Sequence, residues 1–231
     1  MSRRILAPIL AAALLAASAA PVLAAKAPTT WDNLVEVKSK KVELVYLLPG
    51  ADFRGYTKVM LDPTEVAFRK NFVRDFNSSQ TVALGDRLRD DDVQRMSGEA
   101  KDGFEKVFRE AYEKAGYQVV TTPGPDVLRV RTAVMDLYVT APDLRTAAMT
   151  RTYSADAGEA TLVLEARDSV TGAILGRAVD KRTVGDMRGL RDSVSNRSDF
   201  ERTFKTWAQR SVDGLAELKA RSPISAEAPA K

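Results

Sequence analysis

The chain contains no cysteine and no histidine. Without thiols it can form no disulfide, thiol nucleophile, iron–sulfur cluster or thiolate zinc site. Without imidazole it lacks the commonest general base and metal ligand, so a Ser-His-Asp triad and a His-held zinc or haem are excluded. Chemistry that needs neither residue, such as a Ser–Lys pair or paired carboxylates, stays open. Excess charge is scarce too: 35 Lys and Arg stand against 31 Asp and Glu, a formal +4. Arg3 and Arg4 belong to a removable leader, so the remainder carries 4 − 2 = +2. A domain this close to neutrality gives no electrostatic case for nucleic acid.

The leader is the clearest feature that is present. Arg3 and Arg4 form a positive n-region, Ile5 to Ala20 is an uncharged apolar run, and Val22-Leu23-Ala24 fits a small-x-small cleavage site. Cleavage is expected between Ala24 and Ala25. The apolar run is shorter than the roughly twenty residues that span a bilayer. Ser2-Arg3-Arg4 is a partial twin-arginine signal, but Ala7 and Pro8 follow where an apolar pair belongs, so the general export route is preferred. The Ala- and Arg-rich leader suits a bacterium, which makes the processed chain periplasmic and soluble. With no cysteine after the cleavage site, no covalent lipid anchor is expected. About 206 residues remain, which suits one domain with a sizeable core.

Periodicity then orders the elements. Val42 to Leu48 reads as a strand stopped by Pro49-Gly50. Residues 62–76 are ambiguous: Asp62-Pro63-Thr64-Glu65 offers a helix start, yet Val66, Phe68 and Phe72 also fit period two. A strand through about Phe68, then a short turn or helix, is preferred. Asp90 to Ala115 keeps Val93, Met96, Phe104, Val107, Phe108 and Tyr112 on one helical stripe, with acids at its start and Gly116 at its end. Gly98 and Gly103 weaken that helix, so packing must hold it. Val127 to Thr140 changes apolar phase midway, which predicts a bulge or bend. Thr161 to Arg167 and Ala173 to Thr183 form a hairpin about Asp168 to Gly172. Ser198 with Glu201 reads as a capping box opening a second helix, with Phe200, Phe204, Trp207, Val212 and Leu215 inward. The predicted fold is α+β: an antiparallel sheet of about four to six strands with two amphipathic helices packed on one face. The predicted division is a signal peptide (1–24), one domain (25–220) and a disordered tail (221–231).

No motif in the chain reaches an established chemistry. Gly50 to Lys58 has the two spaced glycines of a phosphate-binding loop, but Tyr56 intervenes and Thr57 and Lys58 are reversed, so a turn is preferred. Asp90-Asp91-Asp92 lacks the ligand register of a calcium loop and suits a helix N-terminus. Ser39-Lys40 and Ser97 with Lys101 lack a supporting elbow. Asp136 sits inside an apolar strand, where burial would raise its pKa, with Asp180 and Asp186 as possible companions. No catalytic, cofactor-binding or metal-binding residue is assigned. Arg54, Tyr56 and Lys58 lie in a Gly-bounded loop and are the candidate partner-binding residues.

Several blocks in order resemble one family. They are Trp31-Asp32-Asn33-Leu34-Val35, Leu48-Pro49-Gly50-Ala51-Asp52-Phe53, Gly55-Tyr56-Thr57-Lys58-Val59, Asp62-Pro63-Thr64-Glu65-Val66 and Pro123-Gly124-Pro125-Asp126-Val127-Leu128. Together they resemble the uncharacterised proteobacterial envelope family called domain of unknown function thirty-three thirteen. The resemblance implies a secreted α+β domain, often a lipoprotein, and carries no established activity. The expected function is a non-enzymatic binding or accessory component of an envelope assembly, with an envelope protein partner, no nucleic acid and no cofactor. A periplasmic carrier of a small ligand or lipid is the alternative, and a hydrolase lacking His and Cys comes third. Oligomeric state is left open. A carrier requires a continuous apolar cavity, and an accessory protein requires an exposed apolar patch or sheet edge.

Overall fold

The computed structural model describes residues 28–78, 87–140, 142, 152–154, 157–185, 189–191 and 193–225. The expected leader and its Ala24–Ala25 cleavage site lie outside the described residues. At the centre stands the predicted hairpin, β9 (Gly158–Asp168) and β10 (Ile174–Val184). Asp168 makes its turn by accepting from the backbone N–H of Val170 and Thr171 and from the Thr171 hydroxyl. Such side-chain bonds to nearby N–H groups are why Asp opens turns. Strand β7 (Val127–Val139) pairs antiparallel with the other edge of β9.

Seven more strands are β1 (Thr30–Trp31), β2 (Leu34–Glu36), β3 (Leu44–Leu47), β4 (Lys58–Leu61), β5 (Glu65–Phe68), β6 (Gln118–Val119) and β8 (Thr152–Ser154). With β11 (Gly189–Arg191) they complete a nine-stranded sheet, ordered β1-β2-β3-β10-β9-β7-β4-β6 with β5 also on β7, and a separate β8–β11 pair. This corrects the expected antiparallel sheet of four to six strands. The sheet is mixed, because β4 and β5 run parallel to β7 and β6 runs parallel to β4. Parallel pairing needs a long crossover, and the first long helix supplies it. Strands of two or three residues carry too little alternation to be read from sequence.

In β7 the side chains of Leu128, Val130, Thr132 and Val134 face inward and are buried. At Asp136, with φ at 52°, the register shifts and Leu137 takes the inward position. The apolar phase change is thus the predicted bulge, and it leaves Asp136 exposed rather than buried among apolar residues.

Helix α1 (Phe72–Asn77) buries Phe72 against Phe68 and Tyr138. Residues 62–76 are therefore strand and then helix, as preferred. Helix α2 (Asp90–Lys114) begins at the acid cluster and ends before Gly116, whose φ is 88°. Helix α3 (Ser193–Arg221) starts before the expected Ser198 cap, which lies within it. The helices join one core on one face of the sheet: Phe104 stacks on Phe108 at 4.2 Å and meets Phe204 edge-on at 5.2 Å. Tyr112 and Ser211 share a hydroxyl hydrogen bond of 2.7 Å between the two helices.

The opposite sheet face is charged and partly wet. Arg129 pairs with Asp62, Arg131 with Glu65, and Arg177 with Glu165 and Asp32. The Arg177 guanidinium also lies 3.7 Å from the Trp31 ring centroid. Burial pushes the Glu165 carboxyl up, but Arg167 and Arg177 outweigh it and hold the group below its ordinary range.

The expected tail is corrected at its start. The Ser222 hydroxyl donates to the Leu218 carbonyl at 2.6 Å and accepts from the Phe53 N–H at 2.9 Å. Ile224 exchanges backbone bonds of 2.8 Å with Gly50 and Ala51 and packs on the core. Residues 226–231 lie outside the described residues. Among the described residues no helix is long and apolar enough to cross a membrane.

Candidate functional site

The inward face of β3, β10, β9 and β7 does not fit flush against the C-terminal half of α3. An apolar cavity of about 370 Å³ separates them. That volume falls within the roughly 300–1,000 Å³ of small-molecule sites. Its walls are Val45, Leu47, Leu164, Ala178, Trp207 and Leu215. The space comes from residue size. Ala166 and Ala178 are small on the sheet, and Gly214 on α3 has nothing within 4 Å of where its Cβ would be. A mid-helix glycine costs about 1 kcal/mol relative to Ala. Gly214 thus stands in the lining with room for a larger side chain.

The segment 37–42, between β2 and β3, borders the mouth. The Ser39 hydroxyl holds its turn by accepting from the N–H of Lys41 and Val42. Lys41 bridges to Glu217 on α3 and so ties the segment across the opening. At the inner end Asp180 is 2 % exposed, and its carboxylate accepts from Trp207 Nε1 at 2.8 Å, Arg182 Nε at 2.8 Å and Arg210 Nη1 at 3.3 Å. A buried carboxylate persists only when so compensated. Asp180 therefore anchors α3 to β10. A second cavity, about 360 Å³, lies between the N-terminal halves of α2 and α3, lined by Phe68, Ala100, Gly103, Leu137, Phe200 and Phe204 among others.

The structure separates the residues that sequence grouped. Tyr56 is buried: its ring meets Phe53 edge-on, and its hydroxyl donates to Asp168 at 2.9 Å. Burial and then the Asp168 bond push its phenol well above the ordinary range. Arg54 is exposed and paired with Asp52, whose carboxyl it holds down at about 2. Lys58 pairs with Asp126 at 3.1 Å. The Gly50–Lys58 loop leads into β4, not into the helix that a phosphate loop opens. Asp136 is exposed on the bulge and Asp180 is buried under α3, while Asp186 lies outside the described residues. Among the described residues no group of three or more acids converges as a metal site. Sequence reasoning missed the cavity. Its available signal was a glycine on the buried helix and alanines on the inward strand positions.

One prediction follows from Tyr56. Tyr56→Phe is expected to cost about 1 kcal/mol in chemical denaturation at neutral pH. Asp168 is held below its ordinary range, first by the Thr171 N–H and in part by Tyr56. A depressed carboxyl stabilises above its unfolded pKa of about 3.9, and that stability is lost as pH falls through the folded value. The gap between wild type and Tyr56→Phe should therefore narrow below about pH 4. A gap that is constant from neutral to acid pH would show that this bond is not coupled to the carboxylate.

Among curated proteins, none matches the chain. Solved structures similar to it include the dodecameric PelC Leu-to-Met variant of Paraburkholderia phytofirmans, 14% identical, covering 74% of this chain and 97% of that one, with a TM-score of 0.37. Protein XCC0632 of Xanthomonas campestris is 10% identical, with 75% and 91% coverage and a TM-score of 0.39. A minor lipoprotein of Acinetobacter baumannii is 10% identical, with 70% and 94% coverage and a TM-score of 0.32. The expected exclusion of a covalent lipid anchor is corrected on this finding: a similar chain is a lipoprotein, and the exclusion is withdrawn. The family described as Protein of unknown function (DUF3313) matches residues 26–211, and the chain belongs to that family.

Proposed function

We propose that the chain is a non-enzymatic binding protein of the bacterial periplasm that holds an apolar ligand in the cavity beneath α3. The observation that carries this reading is the cavity of about 370 Å³ between packed elements, lined in part by Gly214 and bordered by a segment that Lys41 ties to α3. It favours the carrier alternative over the assembly accessory. Among the described residues the exposed large apolar side chains, Trp31, Met135, Val170 and Val194, come from β1, β7, the β9–β10 turn and α3, and offer the accessory reading little support. Export by the Arg3–Ala24 leader supplies the compartment in this proposal.

The test is a cavity-filling substitution that does not harm the fold. Gly214→Leu places its Cβ in open space and removes a helix glycine, so stability should rise by about 0.8 kcal/mol. Binding of the uncharged fluorescent probe N-phenyl-1-naphthylamine is expected to saturate on the wild type and to be lost on Gly214→Leu, with the melting temperature retained or raised. Equal binding by both proteins would remove the cavity from the function.

A further inference from the structure

The floor of the cavity is apolar, but its mouth is basic. Lys38, Lys40, Lys41 and Arg221 border it, and the only other charged residues of the lining are Arg210, Asp180 and Glu217. Both acids are already engaged: Asp180 faces inward to Trp207, Arg182 and Arg210, and Glu217 takes Lys41. Lys38, Lys40 and Arg221 are exposed, and among the described residues no ion pair engages them. Positive charge is thus left over above an apolar hollow.

We propose that the cavity takes a single-chain anionic amphiphile of the fatty-acid class. Its alkyl chain lies along Val45, Leu47, Leu164 and Leu215, and its carboxylate meets Lys38, Lys40 and Arg221. The proposal rests on the cavity reading above and names the ligand for it. The orientation follows from solvation. Apolar chain gains from burial, whereas a carboxylate is costly to desolvate and belongs at the wet, basic rim. Chain number follows from volume. A methylene takes about the 30 Å³ of a water molecule. About 370 Å³ then accommodates one chain on the order of twelve carbons rather than two. The Lys41–Glu217 bridge gives entry a polar step, because an arriving carboxylate competes with Glu217 for Lys41.

The experiment uses the full chain carrying Trp31→Phe. The chain has 2 tryptophans, so this leaves Trp207, a wall of the cavity, as the sole reporter. Its emission is followed during titration with laurate, dodecanol and dodecyltrimethylammonium, each below micelle formation. Laurate is expected to saturate, with the other two at least about tenfold weaker. Replacing Lys38, Lys40 and Arg221 together by Ala should erase that preference and leave dodecanol binding unchanged. If dodecanol binds as well as laurate, or the triple variant still prefers laurate, the anionic class is overturned and the apolar cavity stands. The same holds if N-phenyl-1-naphthylamine binds and laurate does not. If neither laurate nor that probe binds, the cavity reading falls as well.

Discussion

Trp207→Ala is expected to destabilise the chain by about 3–5 kcal/mol, through lost burial and the void left behind. Trp207 is 1 % exposed, stacks on Phe204 and joins α3 to the sheet by donating to Asp180. Urea denaturation of wild type and variant measures the loss. A change below about 1 kcal/mol would mean that α3 is not packed at this point. Trp207→Phe separates the two contributions, because it keeps most of the ring and removes only the indole N–H. Its cost should be about 1–3 kcal/mol, since Asp180 is left buried with only its arginine and backbone partners.

Gly158→Ala should be as damaging for a different reason. Gly158 opens β9 with φ at 149°, between Val139 of β7 and Val184 of β10. A Cβ there would sit 1.9 Å from the Tyr138 carbonyl oxygen and 3.1 Å from the Phe200 ring. The clash is with backbone, so no rotamer relieves it, and two strand partners resist movement. Backbone strain and overpacking together predict a loss of at least about 3 kcal/mol. Gly172→Ala is the comparison: its φ is 72°, but nothing lies within 4 Å of the new Cβ. Conformation alone should cost about 1–2 kcal/mol there. Equal losses at the two sites in thermal unfolding would show that the Tyr138 contact is not what requires Gly158.

Much of the fold was readable because its signals are local. The acids of Asp90–Asp92, the stripe from Met96 to Tyr112 and Gly116 bound α2 by helix chemistry alone. Asp168 to Gly172 marked the hairpin through turn chemistry. The phase change in β7 located the bulge at Asp136 because alternation is a property of one strand. The start of α3 was misplaced by a local signal that lost: Ser198 and Glu201 could form a capping box, but the helix runs on from Ser193. Ser222 and Ile224 looked like tail, since their partners Phe53, Gly50 and Ala51 are far away in sequence.

The candidate site was hidden for the same physical reason. Arg54, Tyr56 and Lys58 are neighbours in the chain, yet Tyr56 turns into the core toward Asp168 while Arg54 stays outside. In the opposite sense, Lys38, Ala178 and Gly214 have no relation in sequence and border one cavity.

Sequence alone determined the absence of thiol and imidazole chemistry, the helix stripes, the central hairpin and the ordered blocks that mark the family, because each is a property of composition or of a few neighbouring residues. Tertiary structure decided the parallel pairing of β4, β5 and β6, the direction in which Tyr56 points and the existence of the cavity. Those depend on which distant surfaces meet and how closely, and a void is made by the side chains that are missing from both.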